Sequence, residues 1–380
     1  MHICLITSRI PPIRCGVGDY TVQLADALHT AGMRVTILTG KDQVDHLPNN
    51  SIQIRNVLSD WRARGMIQLV QEITRLRPDR IIIQWVPFLY DRFGVNIWLP
   101  FTAAYLRLMG YFVQMMVHEL WVPLNSWQYR ITGPLQRLLL SFLILVSNKI
   151  AVSTTGPTRM LQSFFPWRRR DIYWVPVGSN IPVVEITPVL YTQLRMEAGI
   201  AEQALVLALF SPFGAGKGLD LIESCWQQIA DKDVQLIVIG ATAAEATTAL
   251  PQLATDKRVK FLGYLEPSAV SCWLQNADLL LAPFIDGMSA RRTSALAALA
   301  HGLAVVSTRG PLFDEEIFGH GALAITDYDS TQFTAAVQAL IQDATRRHEL
   351  AVAARVLFTE YFSWPAIVAR LLGEESVKIS

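Results

Sequence analysis

Charged residues are scarce in this chain, 17% of 380 residues against 51% hydrophobic. That balance excludes a disordered polyelectrolyte, a coiled coil and a collagen-like repeat, and it leaves enough apolar side chain for two ordinary cores. Cysteine is scarcer still. Cys4, Cys15, Cys225 and Cys272 are scattered, make no CxxC pair and have no histidine at ligand spacing. Neither a disulfide framework nor a metal site is expected, and no cofactor is called for. Long hydrophobic runs are also missing. Residues 97–117 are interrupted by Pro100, Arg107 and Gly110, and residues 138–146 are far shorter than the roughly 20 that a spanning helix needs. A buried helix followed by a buried strand, residues 111–117, is expected instead. The opening Met1-His2-Ile3-Cys4-Leu5-Ile6-Thr7 lacks the basic leader of a signal peptide and reads as a first strand, so a cytoplasmic location is expected.

The formal net charge of +1 conceals an asymmetry. Residues 1–180 carry 19 Lys and Arg against 10 Asp and Glu, and the remainder carries 14 against 22. A basic first half is suited to something anionic, such as a phospholipid surface or an acidic acceptor, and a weak peripheral contact with a membrane face is expected there. The sharpest local feature is Phe164-Phe165-Pro166-Trp167-Arg168-Arg169-Arg170. It reads either as that contact or as a solvated loop around a buried tryptophan. No nucleic-acid partner is expected.

Short runs rich in Val, Ile and Leu alternate with helical patterns, the signature of βαβ units around parallel sheets buried on both faces. In the first half they span residues 3–7, 35–39, 80–84, 111–117, 150–153 and 172–175. In the second they span 205–210, 235–239, 259–262, 279–282, 304–307 and 323–325. Two doubly wound sheets of similar size follow. The run Val175-Pro176-Val177-Gly178-Ser179-Asn180-Ile181-Pro182 punctuates the chain, giving lobes at 1–178 and 179–362. Ser363 is placed to cap a last helix with Trp364, Ile367, Val368, Leu371 and Leu372 on one face, so the segment 363–380 needs a surface to cover.

Four segments can carry chemistry. After the first strand, Gly16-Val17-Gly18 precedes a helix with Leu24, Ala25 and Leu28 facing inward. Backbone N–H groups can approach an anion there, although a plain tight turn accounts for the glycines equally. Phe213-Gly214-Ala215-Gly216-Lys217-Gly218 resembles a Walker A loop, but Gly218 stands where Ser or Thr would hold magnesium. A phosphate-binding lysine at a strand's carboxyl end remains. His118 follows the run 111–117, placed either to donate to a sugar hydroxyl or phosphate or to hold a loop. His301, before Gly302 at the end of a helix over 293–300, reads as structural. Finally, Asp286-Gly287-Met288-Ser289-Ala290-Arg291-Arg292-Thr293-Ser294 gathers a carboxylate, hydroxyls and two guanidiniums before that helix, with Asp286 and Ser289 as candidate caps.

In order and spacing these segments resemble the retaining glycosyltransferases of family 4. Pro11-Pro12, Phe261-Leu262-Gly263-Tyr264 and Phe362-Ser363-Trp364 extend the likeness over essentially the whole chain. The resemblance implies an α/β GT-B fold, two doubly wound Rossmann-like lobes facing a central cleft. It also implies transfer of a sugar from a nucleotide diphosphate sugar, UDP or GDP not distinguished, to an acceptor hydroxyl with retention and without a metal. The acceptor would be a glycan, a lipid-linked molecule or a small molecule, in glycan, glycolipid or polysaccharide synthesis. Catalytic roles fall to His118 and Asp286 at the sugar and to Lys217 at the phosphates. Donor binding falls to Gly16, Val17, Gly18 and Gly214, to Gly263 and Tyr264 around the base, and to Gly287, Met288, Ser289, Arg291 and Ser294. Asp286 and Ser294 stand where the family carries a Glu-x7-Glu pair, and the arginine that accompanies the lysine is absent from Phe213–Gly216, with Arg291 or Arg292 read as its replacement. These departures keep an alternative in view, a catalytically weak or inactive nucleotide-sugar-binding or assembly protein on the same fold. A dehydrogenase is disfavoured, since neither glycine loop has dinucleotide spacing.

Overall fold

The apolar runs pair into two parallel sheets. The computed structural model describes residues 1–13, 15–41, 52–122, 124, 126–214 and 216–373. Ala215 of the glycine loop and the end of the 363–380 segment lie outside the described residues. The first sheet contains β1 (His2–Ile6), β2 (Arg34–Gly40), β3 (Gln53–Leu58), β4 (Arg80–Trp85), β5 (Val113–Val117), β6 (Lys149–Val152) and β7 (Ile172–Trp174). Its order is β3-β2-β1-β4-β5-β6-β7. The second contains β8 (Leu205–Phe210), β9 (Val234–Ile239), β10 (Val259–Gly263), β11 (Leu279–Ala282), β12 (Ala304–Thr308) and β13 (Ala324–Thr326), in the order β10-β9-β8-β11-β12-β13. Ile3, Leu5, Val113 and Met115 in one sheet, and Leu207, Leu236, Leu279 and Val306 in the other, are fully buried. Each such side chain contributes about 1.5–3 kcal/mol.

The sequence reading missed β3. Its residues Gln53-Ile54-Arg55-Asn56-Val57-Leu58 mix polar and apolar side chains because this edge strand pairs only with β2 and is half solvated, so it shows no continuous apolar run. The strand expected over 111–117 begins at Val113, after the helix Trp98–Leu108. Among the described residues no helix is long and apolar enough to cross a membrane.

The chain divides into two compact units, Met1–Pro176 with residues 367–373, and Val177–Ala366. The last helix, Trp364–Leu372, starts on Ser363, whose hydroxyl accepts from the Ala366 N–H at 3.4 Å. A carbonyl in the final turn of a helix has no intrahelical partner. Leu371 O instead accepts from Arg80 Nη1 (3.2 Å), Gln114 Nε2 (3.0 Å) and Tyr173 OH (2.9 Å), so β4, β5 and β7 each hold the end of this helix to the first sheet.

The aromatic and arginine segment 164–170 departs from one of its sequence readings, the solvated loop around a buried tryptophan. Trp167 is 69% exposed, not buried. Arg168 is not a free surface cation. Its guanidinium donates to Ile144 O, Leu145 O, Ser147 O and Asn148 O at 2.7–3.1 Å and to Asp171 Oδ2 at 2.9 Å. It therefore satisfies the orphan carbonyls at the end of the helix Trp127–Val146, a helix whose last turn has no basic residue of its own.

Candidate functional site

In the second unit, strand order reverses between β8 and β11, and in open α/β sheets ligands bind beyond the carboxyl ends at such a switch point. Two loops meet there. Lys217, in the loop after β8, forms an antiparallel bridge with Phe284, in the loop after β11. Gly218 N–H donates to Pro283 O (3.1 Å) and Ile285 N–H to Gly216 O (3.2 Å). Phe284 is held from below, since the Thr308 hydroxyl accepts from its N–H (2.8 Å) and donates to its carbonyl (2.6 Å).

Two cations rest on this ring. Lys217 Nζ lies 5.1 Å from the Phe284 centroid and Arg292 Cζ lies 4.3 Å from it. Burial, and after it the charge of Arg292, holds the Lys217 ammonium below its ordinary pKa, and burial does the same to Arg292. Asp286 forms an ion pair with Arg292, the only carboxylate among the described residues to do so. Two positive charges thus share one negative charge, and Arg292 Nε is buried without a hydrogen-bond partner. Partly desolvated cations left with excess charge and an orphan donor favour an arriving anion. Lys217, Gly218, Pro283, Phe284 and Ser294 line one small pocket at this point.

Arg292, and not Arg291, is the cation brought to the lysine; Arg291 is exposed. The helix Thr293–Ala300 receives no side-chain cap, so the capping roles given to Asp286 and Ser289 are not realised; Thr293 N–H donates to Arg291 O (3.0 Å), and the next two N–H groups, of Ser294 and Ala295, stay open to a ligand. Met288 is a correction to the donor-binding set. It is fully buried, its N–H donates to Thr308 O and its carbonyl accepts from Asp314 N–H, which leaves no group for a ligand. Gly287 is likewise committed: its φ is 92°, its N–H donates to Phe284 O, and a Cβ would stand 2.7 Å from Gly310 N. Ser289 is partly exposed beside this loop. Gly214 opens on free space. Gly263 ends β10, and Tyr264 beside it is exposed with its hydroxyl donating to Glu245 Oε1 at 3.0 Å. His301 is structural as read, with Nε2 2.7 Å from Ser271 Oγ and Nδ1 2.7 Å from Ala297 O.

The first unit has its own switch point, between β1 and β4. Gly16, Val17 and Gly18 form the first turn of the helix Gly16–Thr30 rather than a loop before it, and Cys15 makes no side-chain cap. The two glycines differ. A Cβ on Gly18 would stand 2.6 Å from Arg9 O, whereas one on Gly16 meets nothing within 4 Å. Close packing therefore accounts for Gly18, and Gly16 faces open space at a positive helix end.

His118 follows β5 with its ring 4.8 Å from that of Tyr20, edge to face, and Nε2 2.7 Å from Gln84 Oε1. Burial pushes its pKa down to about 3. The ring is thus neutral near pH 7. With Gln84 Oε1 as acceptor the proton is assigned to Nε2, which leaves Nδ1 as an acceptor. Gln84 was missed although a visible signal marked it, a polar residue at the carboxyl end of an apolar strand. Its Nε2 is buried without a partner.

Residues 205–343, within the second unit, match the model of the family Glycosyl transferases group 1. No curated protein matches the chain. Among solved structures, Anabaena HepE in complex with UDP is 17% identical and aligns over 99% of this chain and 100% of its own, with a TM-score of 0.71. Sucrose-phosphate synthase from Thermosynechococcus elongatus is 16% identical over 98% of each chain, with a TM-score of 0.69. A glycosyltransferase from Rickettsia africae is 11% identical over 98% of this chain and 99% of its own, with a TM-score of 0.74. The shared feature is the GT-B fold of two Rossmann-like parallel-sheet lobes.

Proposed function

We propose that this chain transfers a sugar from a nucleotide diphosphate sugar to an acceptor hydroxyl, with retention and with Lys217 and Arg292 as the counter-charge of the leaving diphosphate. The observation that carries this reading is the pair of cations on Phe284 at the switch point of the second sheet, two charges against the single carboxylate of Asp286. The group 1 match over residues 205–343 and the UDP bound in Anabaena HepE support a nucleotide-sugar donor at this lobe. Retention rests on the motif resemblance.

As the glycosidic bond lengthens, positive charge develops at the anomeric carbon and negative charge on the departing oxygen. Preorganised cations and open helix N–H groups stabilise that oxygen more than they stabilise bound donor. Neutral His118 is assigned to a sugar hydroxyl through its acceptor nitrogen, and Asp286 to the sugar through the carboxylate oxygen that Arg292 does not take.

One observation favours the binding-only alternative. Asp286 is already engaged by Arg292, and Ser294 offers no carboxylate in place of the second glutamate. A panel of nucleotide sugars, scored for thermal stabilisation in chelator and then for sugar release, separates the readings. Stabilisation followed by hydrolysis or transfer supports the enzyme. Stabilisation without turnover on any acceptor supports the binding protein. Stabilisation only with a divalent ion would overturn the role given to the two cations.

A further inference from the structure

Two neighbouring helices of the first unit carry their apolar residues on the outside as well as the inside. In the helix Trp98–Leu108 the buried side is Leu99, Ala103 and Leu106, yet the outward stripe is Trp98, Phe101, Tyr105 and Leu108. In the helix Trp127–Val146 the buried side includes Leu140, Leu143 and Ile144, and the outward stripe is Trp127, Ile131, Leu135, Leu138 and Leu145. Leu108 is 85% exposed, Trp127 71% and Leu138 66%. The Phe101 and Phe142 rings meet at 5.6 Å, joining the two stripes into one face. A surface helix of a soluble protein normally turns polar residues outward, and a contiguous apolar face marks an interaction surface.

Charge selects the occupant. Neither helix contains a single Asp or Glu, and their charged residues are Arg107, Arg130 and Arg137, all exposed. The adjoining helix Thr155–Phe164 likewise has Arg159 and no acid. A second copy packed on this face about a two-fold axis would bring arginines towards arginines with no carboxylate on either helix to pair them. Anionic headgroups neutralise them, while tryptophan, tyrosine and leucine enter the headgroup and acyl boundary. We propose that the joined outer faces of the helices Trp98–Leu108 and Trp127–Val146 dock the first unit onto an anionic lipid bilayer. Arg168, spent on helix carbonyls, takes no part, so the docking surface differs from the 164–170 segment singled out in the sequence.

The test is co-sedimentation of the full chain with phosphatidylglycerol-containing and pure phosphatidylcholine vesicles, at low and high salt. It needs neither donor nor acceptor, so its failure is separate from any failure of the proposed reaction. Expected is binding to the anionic vesicles that fades with salt. The double variant Trp127→Glu/Leu138→Glu should lower that binding more than about tenfold, and Arg107→Gln/Arg130→Gln roughly 25-fold, at about fivefold per cation. Val352→Glu, an exposed apolar position in the second unit, should change nothing. Leu108→Glu alone serves if the double variant does not fold. Undiminished binding by the glutamate variants, or equal binding to neutral vesicles, would sink the proposal. So would self-association in sedimentation velocity without vesicles that the double variant abolishes, because the face would then belong to a second copy.

Discussion

Asp286 and Arg292 form an ion pair in the turn between β11 and the helix Thr293–Ala300, six residues apart in sequence. The pair holds the guanidinium against Phe284 beside Lys217, and it also cancels part of the positive charge that the second unit offers a ligand. The carboxylate is thus a positioning group and, on the proposed function, also a competitor for the donor phosphates.

Removing either cation should weaken nucleoside diphosphate binding in chelator. Lys217→Ala and Arg292→Ala are each expected to cost about 10- to 100-fold in affinity by calorimetry, the range of one charge-assisted hydrogen bond, and Arg291→Ala less than about twofold. Lys217→Ala should also lower kcat by roughly 30- to 1000-fold, as for one preorganised donor at a developing charge. An unchanged kcat with only a raised donor KM would reduce the lysine to uniform binding.

Asp286→Asn should split binding from turnover. Without its carboxylate Arg292 is freed of the competing charge, so nucleoside diphosphate affinity is expected to rise severalfold while sugar transfer falls. A variant that keeps full transfer activity would remove Asp286 from the chemistry and leave it as a tether.

The two glycines of the first turn should part company in denaturant titrations. Gly18→Ala must push a Cβ against Arg9 O and is expected to cost about 1–3 kcal/mol. Gly16→Ala meets no neighbour and should be neutral or stabilising by up to about 1 kcal/mol. Loss of donor binding in a stable Gly16→Ala protein would assign that open position to the ligand.

His118 should leave a mark on stability and none on the pH–rate profile near neutrality. Its folded pKa of about 3 lies below the ordinary 6.5, so between these values the unfolded chain holds a proton that the folded chain lacks. The contribution is fully present above pH 6.5 and is lost as pH falls towards 3, at no more than about 1.4 kcal/mol per unit. His118→Gln should flatten that slope, seen in urea midpoints between pH 4 and 7, relative to the unmodified chain. An acid limb in kcat near pH 6–7 that disappears in this variant would contradict a neutral ring.

Arg168→Ala should act on the fold. Loss of the contacts to four carbonyls at the end of the helix Trp127–Val146 is expected to cost about 2–4 kcal/mol, while Arg169→Ala and Arg170→Ala, both exposed, should lie within about 0.5 kcal/mol. Thermal unfolding of the three variants measures the difference.

The alternation of apolar runs with helical patterns was enough to place twelve of the thirteen strands among the described residues, because a parallel strand buried on both faces must be apolar throughout. Beyond β3, an edge strand with no such constraint, the local pattern also located His118, Lys217 and the Asp286 loop at strand ends, where connectivity alone delivers side chains to the sheet edge. Which groups meet there is a tertiary matter. Arg291 and Arg292 are indistinguishable in sequence, and only the packing of the loop after β11 against the loop after β8 turns one to Phe284 and the other to solvent. Arg168, Arg169 and Arg170 are equally alike as letters, yet a helix end 20 residues earlier consumes the first. The pKa of His118, the open space beside Gly16 and the crowding at Gly18 follow from neighbours distant in the chain, and burial and charge are set by those neighbours.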